Sequence, residues 1–213
     1  MHYFVYENDK IKPSKNSKVI NFGTPKHHWN YFLAIENDLE KLSRYIEFSE
    51  SNLSTYSIEL THILLSASSE VDVIMKQICL LIHPGSTANN INDYRDLIKP
   101  NLESLINEEI HISRFNLNYK PWENWNGDTN PNWWRSYNNV KHQRNNHFNE
   151  ANLQNTINAV GALLITVVYY YKLAFTREAN HEVSFKNTTL QLRPKSNFLS
   201  LNENYYNHSL ILE

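Results

Sequence analysis

From Trp29 onward the apolar positions fall at three- and four-residue steps. Tyr31, Phe32, Ile35, Leu39, Leu42 and Ile46 alternate with Glu36, Asp38, Glu40, Lys41 and Arg44, which predicts an amphipathic helix. A longer helical pattern runs over 54–82 through Ile58, Leu64, Leu65, Val71, Ile74, Met75, Ile78 and Leu81, and His83-Pro84-Gly85 ends it. A shorter helix is predicted from Asn92 to about Ile98, with Pro100 forcing a break and another turn or two through Leu102, Leu105 and Ile106. Residues 114–131 read as an ordered loop pinned by Trp122 and Trp125. Two further helices follow, one capped by Asn132 and reaching Asn149, the other from Glu150 to Leu173.

The two ends of the chain have a different rhythm. Tyr3–Tyr6 and Val19–Phe22 read as strand-like pieces around a polar, lysine-rich stretch. Short bursts at Val183–Phe185, Leu190–Leu192, Phe198–Leu201 and Leu210–Leu212 predict C-terminal strands able to pair with them. The expected architecture is therefore mainly α. The helical patterns number four to five and lie between strand-like N- and C-terminal stretches.

Composition narrows the function classes. With 213 residues, 41% hydrophobic, 20% charged and only four glycines, the chain is long enough for one well-filled core and too apolar to be disordered. Cys79 is the sole cysteine and sits in an apolar run, so there is no internal disulfide framework and no cysteine-based zinc site, and a reducing cytoplasmic location is expected. The N-terminus has no export pattern, and Ala159–Tyr171 is shorter than the ~20 residues that span a bilayer, so no membrane anchor is expected. His27, His28 and His62 do not form a His-Glu-x-x-His spacing, and there is no Gly-rich phosphate loop or Gly-x-Ser-x-Gly elbow. Neither a metal nor a cofactor is expected.

The net charge of −2 does not advertise a polyanion binder, so any such site has to be local. Between Asp128 and Glu150 there is no acidic residue, while Arg135, Lys141 and Arg144 lie within ten positions. At ~100° per residue Arg135, Asn139, His142 and Asn146 form one narrow stripe, and Trp133, Tyr137, Val140 and Phe148 occupy the opposite face. The same projection puts Arg144 among the aromatics, where stacking on Trp133 or Tyr137, or pairing with Glu70 or Asp72, is expected. Arginine stays protonated and meets phosphate oxygens with a planar fork. Histidine can take a proton from a ribose 2′-hydroxyl or give one to a leaving oxygen. An arginine and a histidine two turns apart on one face therefore suit phosphodiester chemistry without a metal.

Arg135-x6-His142, inside Trp-Trp-Arg-Ser-Tyr-Asn-Asn-Val-Lys-His-Gln-Arg, resembles the signature of the HEPN superfamily, an arginine followed by four to six residues and a histidine near the start of the penultimate bundle helix. The long helix bearing residues 66–76 and the Pro121-Trp122-Glu123-Asn124-Trp125 segment are similar too, and the resemblance covers about residues 27–176. It implies an up-and-down bundle of four to five helices over residues 27–176, between an N-terminal extension, 1–26, and a C-terminal one, 177–213. Such a bundle is usually a homodimer whose motif helices meet at a cleft, often a metal-independent endoribonuclease acting on RNA as a toxin or phage-defence effector, with an antitoxin or defence-system partner. The same resemblance covers catalytically silent modules that bind RNA, a nucleotide or a protein. Carried onto this chain, Arg135 is the expected phosphate clamp, His142 the general acid/base and Asn139 an orienting group. Ser136, Asn138, Lys141 and Asn146 are the expected substrate contacts.

Overall fold

The computed structural model describes residues 25–206. The first helix, α1 (His27–Leu42), buries Phe32, Ile35, Leu39 and Leu42 of the predicted stripe together with Trp29, while Tyr31 is exposed and Ile46 lies past the helix's end. Next comes α2 (Ile58–Ile82), opened by Ser57, whose hydroxyl accepts from the backbone N–H of Leu60 at 3.1 Å. In α3 (Ile91–Asn101), Asn90 caps the N-terminus, and Pro100 sits in the last turn, so the helix ends one residue after it and a new turn starts at Glu103. A short α4 (Glu103–Asn107) follows. A hairpin follows, with β1 (Ile110–Ile112) in a stretch given no element by the sequence and β2 (Leu117–Tyr119) inside the stretch read as loop. Its strands pair antiparallel, Ile110 opposite Tyr119, and Asn116 takes the left-handed conformation the turn requires (φ 53°).

The motif helix is α5 (Asn132–His147), and it leads through a 3₁₀ turn to α6 (Leu153–Ala179). Asn152 caps α6, its side chain accepting from the N–H of Asn155 at 3.0 Å, so the helix starts later than Glu150. α6 is the central element. It packs mainly along α2, with α1 and α5 also against it, and fifteen of its residues are buried. By length and composition α6 would pass for a membrane span, but 67% of its most apolar window lies inside the fold, as in the core helix of a soluble bundle. Gly161 on α6 admits the hairpin closely: a Cβ there would lie 2.8 Å from Ile110 Cγ1 and 3.2 Å from Pro121 Cγ.

The C-terminal part departs from expectation. The bursts at Val183–Phe185 and Leu190–Leu192 are not strands but the ends of a helix, α7 (Phe185–Gln191). Ser184 accounts for this: its hydroxyl accepts from the N–H of Asn187 at 3.2 Å, which starts a helical turn, and Phe185 stacks on Tyr169 and Tyr205 at 4.8 and 4.6 Å. At Phe198–Leu201 the chain makes one antiparallel bridge, Ser200 to His111, through bonds of 2.8 and 3.0 Å. The pairing partner is thus the internal hairpin. Buried Glu36 secures the same segment by accepting from the N–H groups of Phe198 and Leu199 at 3.1 and 2.8 Å. Leu192, Phe198, Leu199, Leu201 and Tyr205 join the core of the bundle. The segments expected at Tyr3–Tyr6, Val19–Phe22 and Leu210–Leu212 lie outside the described residues.

Candidate functional site

The docked face of α5 comes from its aromatics. Trp133, Trp134, Tyr137 and Val140 are buried, and Trp133 donates its indole N–H to the carbonyl of Pro121 at 2.8 Å. Trp122 lies 4.4 Å from Trp125 and 5.1 Å from Trp133 between ring centroids, so these tryptophans anchor the 120s loop to the motif helix instead of offering faces to a base. With that face fixed, Arg135 and His142 are exposed. At 1.5 Å per residue they are about 10 Å apart along the axis.

Helical geometry fails one residue beyond His142. Gln143 has φ −141° and ψ 45°, which separates a regular first segment from the turn holding Arg144–His147. The run Gln-Arg-Asn-Asn-His contains poor helix formers and no buried side chain to hold it in phase. Arg144 is therefore exposed, not stacked on the aromatic face as projection along an unbroken helix implied. Its expected acidic partners are engaged elsewhere, Glu70 with His28 at 2.6 Å and Asp72 with Lys76 at 2.5 Å and the hydroxyl of Tyr94 at 2.8 Å. Asn146 lies beyond the break, exposed, accepting from Asn145 at 3.2 Å, and does not continue the Arg135 stripe.

The remaining expected residues divide by what they touch. Asn139 donates to both carboxylate oxygens of Glu150 at 3.2 and 3.0 Å, so its amide positions the α5–α6 connection and is not free for a phosphate. His147 Nδ1 meets the same carboxylate at 2.7 Å. Partial burial pushes the Glu150 carboxyl up, but bonds from Asn139, His147 and Ser136 outweigh that and hold it below the usual glutamate value. Ser136 is buried, accepting from Asn155 at 3.0 Å, and thus cannot meet a substrate directly. Asn138 donates back to the carbonyl of Trp134 at 3.0 Å. Lys141 is exposed, 3.2 Å from the Tyr137 hydroxyl and 5.3 Å from the centre of its ring.

Two concavities flank α5. One, of about 980 Å³, lies between the start of α2 and the second half of α5, and it is lined by Ile58, Thr61, His62 and Leu65 on one side and by Val140, Lys141, His142, Arg144, Asn145 and Phe148 on the other. The second, of about 330 Å³, has Asn132, Trp133, Asn155 and Lys120 in its wall together with Glu109 and Glu123. Charge separates them. No carboxylate lines the larger groove, whereas two lie in the smaller one, so an anion is favoured only in the groove beside His142. Arg135 lines neither concavity, and its guanidinium donates to Asn132 at 3.1 Å. Arg135, Lys141, His142 and Arg144 make no ion pair with any described residue.

The structure thus joins Lys141 and His142 in one groove, adds Arg144 and His62, and leaves Arg135 on the adjoining turns. Sequence reasoning missed His62 because it was weighed only as a metal ligand. Its signal was Ile58, an apolar residue on the opening turn of α2 that stays 63% exposed one turn before His62. Among the described residues no cluster of three His, Cys, Asp or Glu side chains is arranged to hold a metal ion. No known protein family, curated protein or solved structure matches this chain.

Proposed function

We propose that this protein is a metal-independent endoribonuclease of the HEPN type, acting as a homodimer in a toxin–antitoxin or phage-defence setting. One observation carries the reading: the unbroken part of α5 presents Arg135 and His142 to solvent from one face, without carboxylate partners among the described residues, and sets His142 in a groove free of acids. The sequence resemblance supplies the biological setting. In the reaction, the neutral imidazole of His142 takes the proton of a ribose 2′-hydroxyl, whose oxygen attacks the adjacent phosphorus. The bond to the 5′-oxygen breaks, that oxygen gains a proton, and the products carry 2′,3′-cyclic phosphate and 5′-hydroxyl ends. Arg135 holds the charge that gathers on the non-bridging oxygens. Because Arg135 lies outside the groove that contains His142, a two-fold pairing of α5 helices brings the Arg135 of one protomer toward the His142 of its partner.

The test compares the wild-type protein with His142→Ala on mixed cellular RNA in EDTA, with analysis of product ends. Cleavage that resists EDTA, leaves cyclic phosphate ends and disappears in the variant is the expected result. RNA binding without cleavage would assign the same groove to recognition, and equal cleavage by both proteins would remove His142 from the chemistry.

A further inference from the structure

We propose that His62 is the second acid/base group of this reaction, working with His142 across the α2–α5 groove of a single chain. The proposal rests on the ribonuclease reading above and supplies what that reading lacks. Cleavage moves two protons, one off the 2′-oxygen and one onto the 5′-oxygen, and in-line displacement keeps those oxygens on opposite sides of phosphorus. A single ring fixed at one side serves only one of them well. The residue between Arg135 and His142 cannot fill the gap, since an amide does not exchange protons in this way and Asn139 is held by Glu150.

His62 has the required placement. It enters the groove from α2 while His142 enters from α5, so the two rings flank one space from different helices. The volume of about 980 Å³ is at the upper end for small-molecule sites and admits a nucleotide with its flanking phosphate. The ionic neighbour of His62 on its own helix is Glu59, at 3.9 Å, and both side chains are mostly in solvent, 62% and 68% exposed, so the contact does not lock the ring. From α5 it is faced by Lys141, His142 and Arg144, two fixed cations and the other imidazole. These draw a phosphate between the rings. Leu65 and Val140 supply an apolar flank for the attached base or ribose.

The protons balance within this pair. One histidine accepts the 2′-hydroxyl proton as the 2′-oxygen–phosphorus bond forms, and the other donates to the 5′-oxygen as its bond to phosphorus breaks. The two rings end in exchanged protonation states and reset by proton exchange with water. No oxidant, reductant or metal enters.

The experiment measures the pH dependence of cleavage by wild type, His142→Ala, His62→Ala and Glu59→Gln, on RNA and on nucleoside 3′-(4-nitrophenyl phosphates), whose leaving group needs no protonation. Expected are a bell-shaped profile for wild type, a loss of about 100-fold or more on RNA in each histidine variant with one limb of the bell removed, and near-normal activity for Glu59→Gln. Exactly one histidine variant should recover on the activated substrate, and it identifies the acid. An active wild type whose His62→Ala form retains RNA cleavage within about threefold, or keeps both limbs, overturns the pair alone. A wild type that cleaves neither substrate overturns the ribonuclease reading and the pair together. Thermal unfolding of His62→Ala should match wild type because the side chain is exposed, so a loss of rate reports chemistry.

Discussion

Replacing Glu150 with Gln tests whether the motif helix is held at its far end by a charge. In the wild type the carboxylate accepts from Asn139 at 3.2 and 3.0 Å and meets His147 at 2.7 Å, and it is 27% exposed. Hydrogen bonds to a charged group contribute about 1.5–3 kcal/mol and neutral ones about 0.5–1.5, so exchanging charge for amide weakens two interactions without emptying the space. Partial exposure keeps the estimate at the low end, about 1–2 kcal/mol, or a fall in Tm of roughly 2–8 °C for a chain of this size. The pH dependence is the sharper part. Because the folded carboxyl titrates below an ordinary glutamate, its contribution is whole above pH ~4.3 and is lost as pH falls through the lowered folded value. Urea midpoints for wild type and Glu150→Gln at pH 7, 5, 4 and 3.5 should therefore show a gap that is constant from 7 to 5 and closes toward 3.5. A gap of the same size at pH 3.5 as at 7, or none at 7, would refute the argument.

Two other outcomes follow from the core. Gly161→Ala should gain about 1 kcal/mol of helix propensity but lose more by driving Cβ to 2.8 Å from Ile110 Cγ1, for a net destabilisation of roughly 1 kcal/mol by denaturant titration; a stabilised variant would show that Ile110 and Pro121 can retreat. Burial, assisted by the charge of Asp93, pushes the Cys79 thiol up to about 11, so at pH 8 the native protein should not react with a disulfide reagent while the guanidinium-unfolded chain reacts fully, and prompt labelling of the native form would place Cys79 outside the core.

The helices were legible where burial and period agree over many turns. Trp29, Phe32, Ile35, Leu39 and Leu42 repeat at helical spacing and all are buried, so α1 could be drawn from sequence. The hairpin was not legible, because Ile110–Ile112 and Leu117–Tyr119 offer three residues each, too few for an alternation to stand out. In α7 the local hydroxyl cap of Ser184 overrode an apolar alternation in Val183-Ser184-Phe185. The site divided in the same way. Projection placed Arg135 and His142 correctly on an exposed face because the helix is regular between them, and it failed at Arg144 because phase is lost at Gln143. His62 was invisible for a different reason: its neighbour across the groove is about eighty positions away, and no local pattern encodes such a meeting.

The break at Gln143 also explains how a chain of net charge −2 keeps a positive groove. Had α5 continued in phase, Arg144 would have turned toward the buried face, where desolvation demands a carboxylate partner and cancels the charge. With the phase lost, Arg144 is exposed next to Lys141 and His142 in a groove whose lining holds no carboxylate; Glu150, on the connection that follows, is bonded to Asn139 and His147, and Glu59, 3.9 Å from His62, is mostly in solvent. Positive potential in the groove thus comes from which side chains line it rather than from how many bases the chain has. Restoring helical phase at 143 should therefore disturb the groove more than the fold. The residues after the break are mostly exposed, and the aromatic anchors Trp133, Trp134, Tyr137 and Val140 all lie before it.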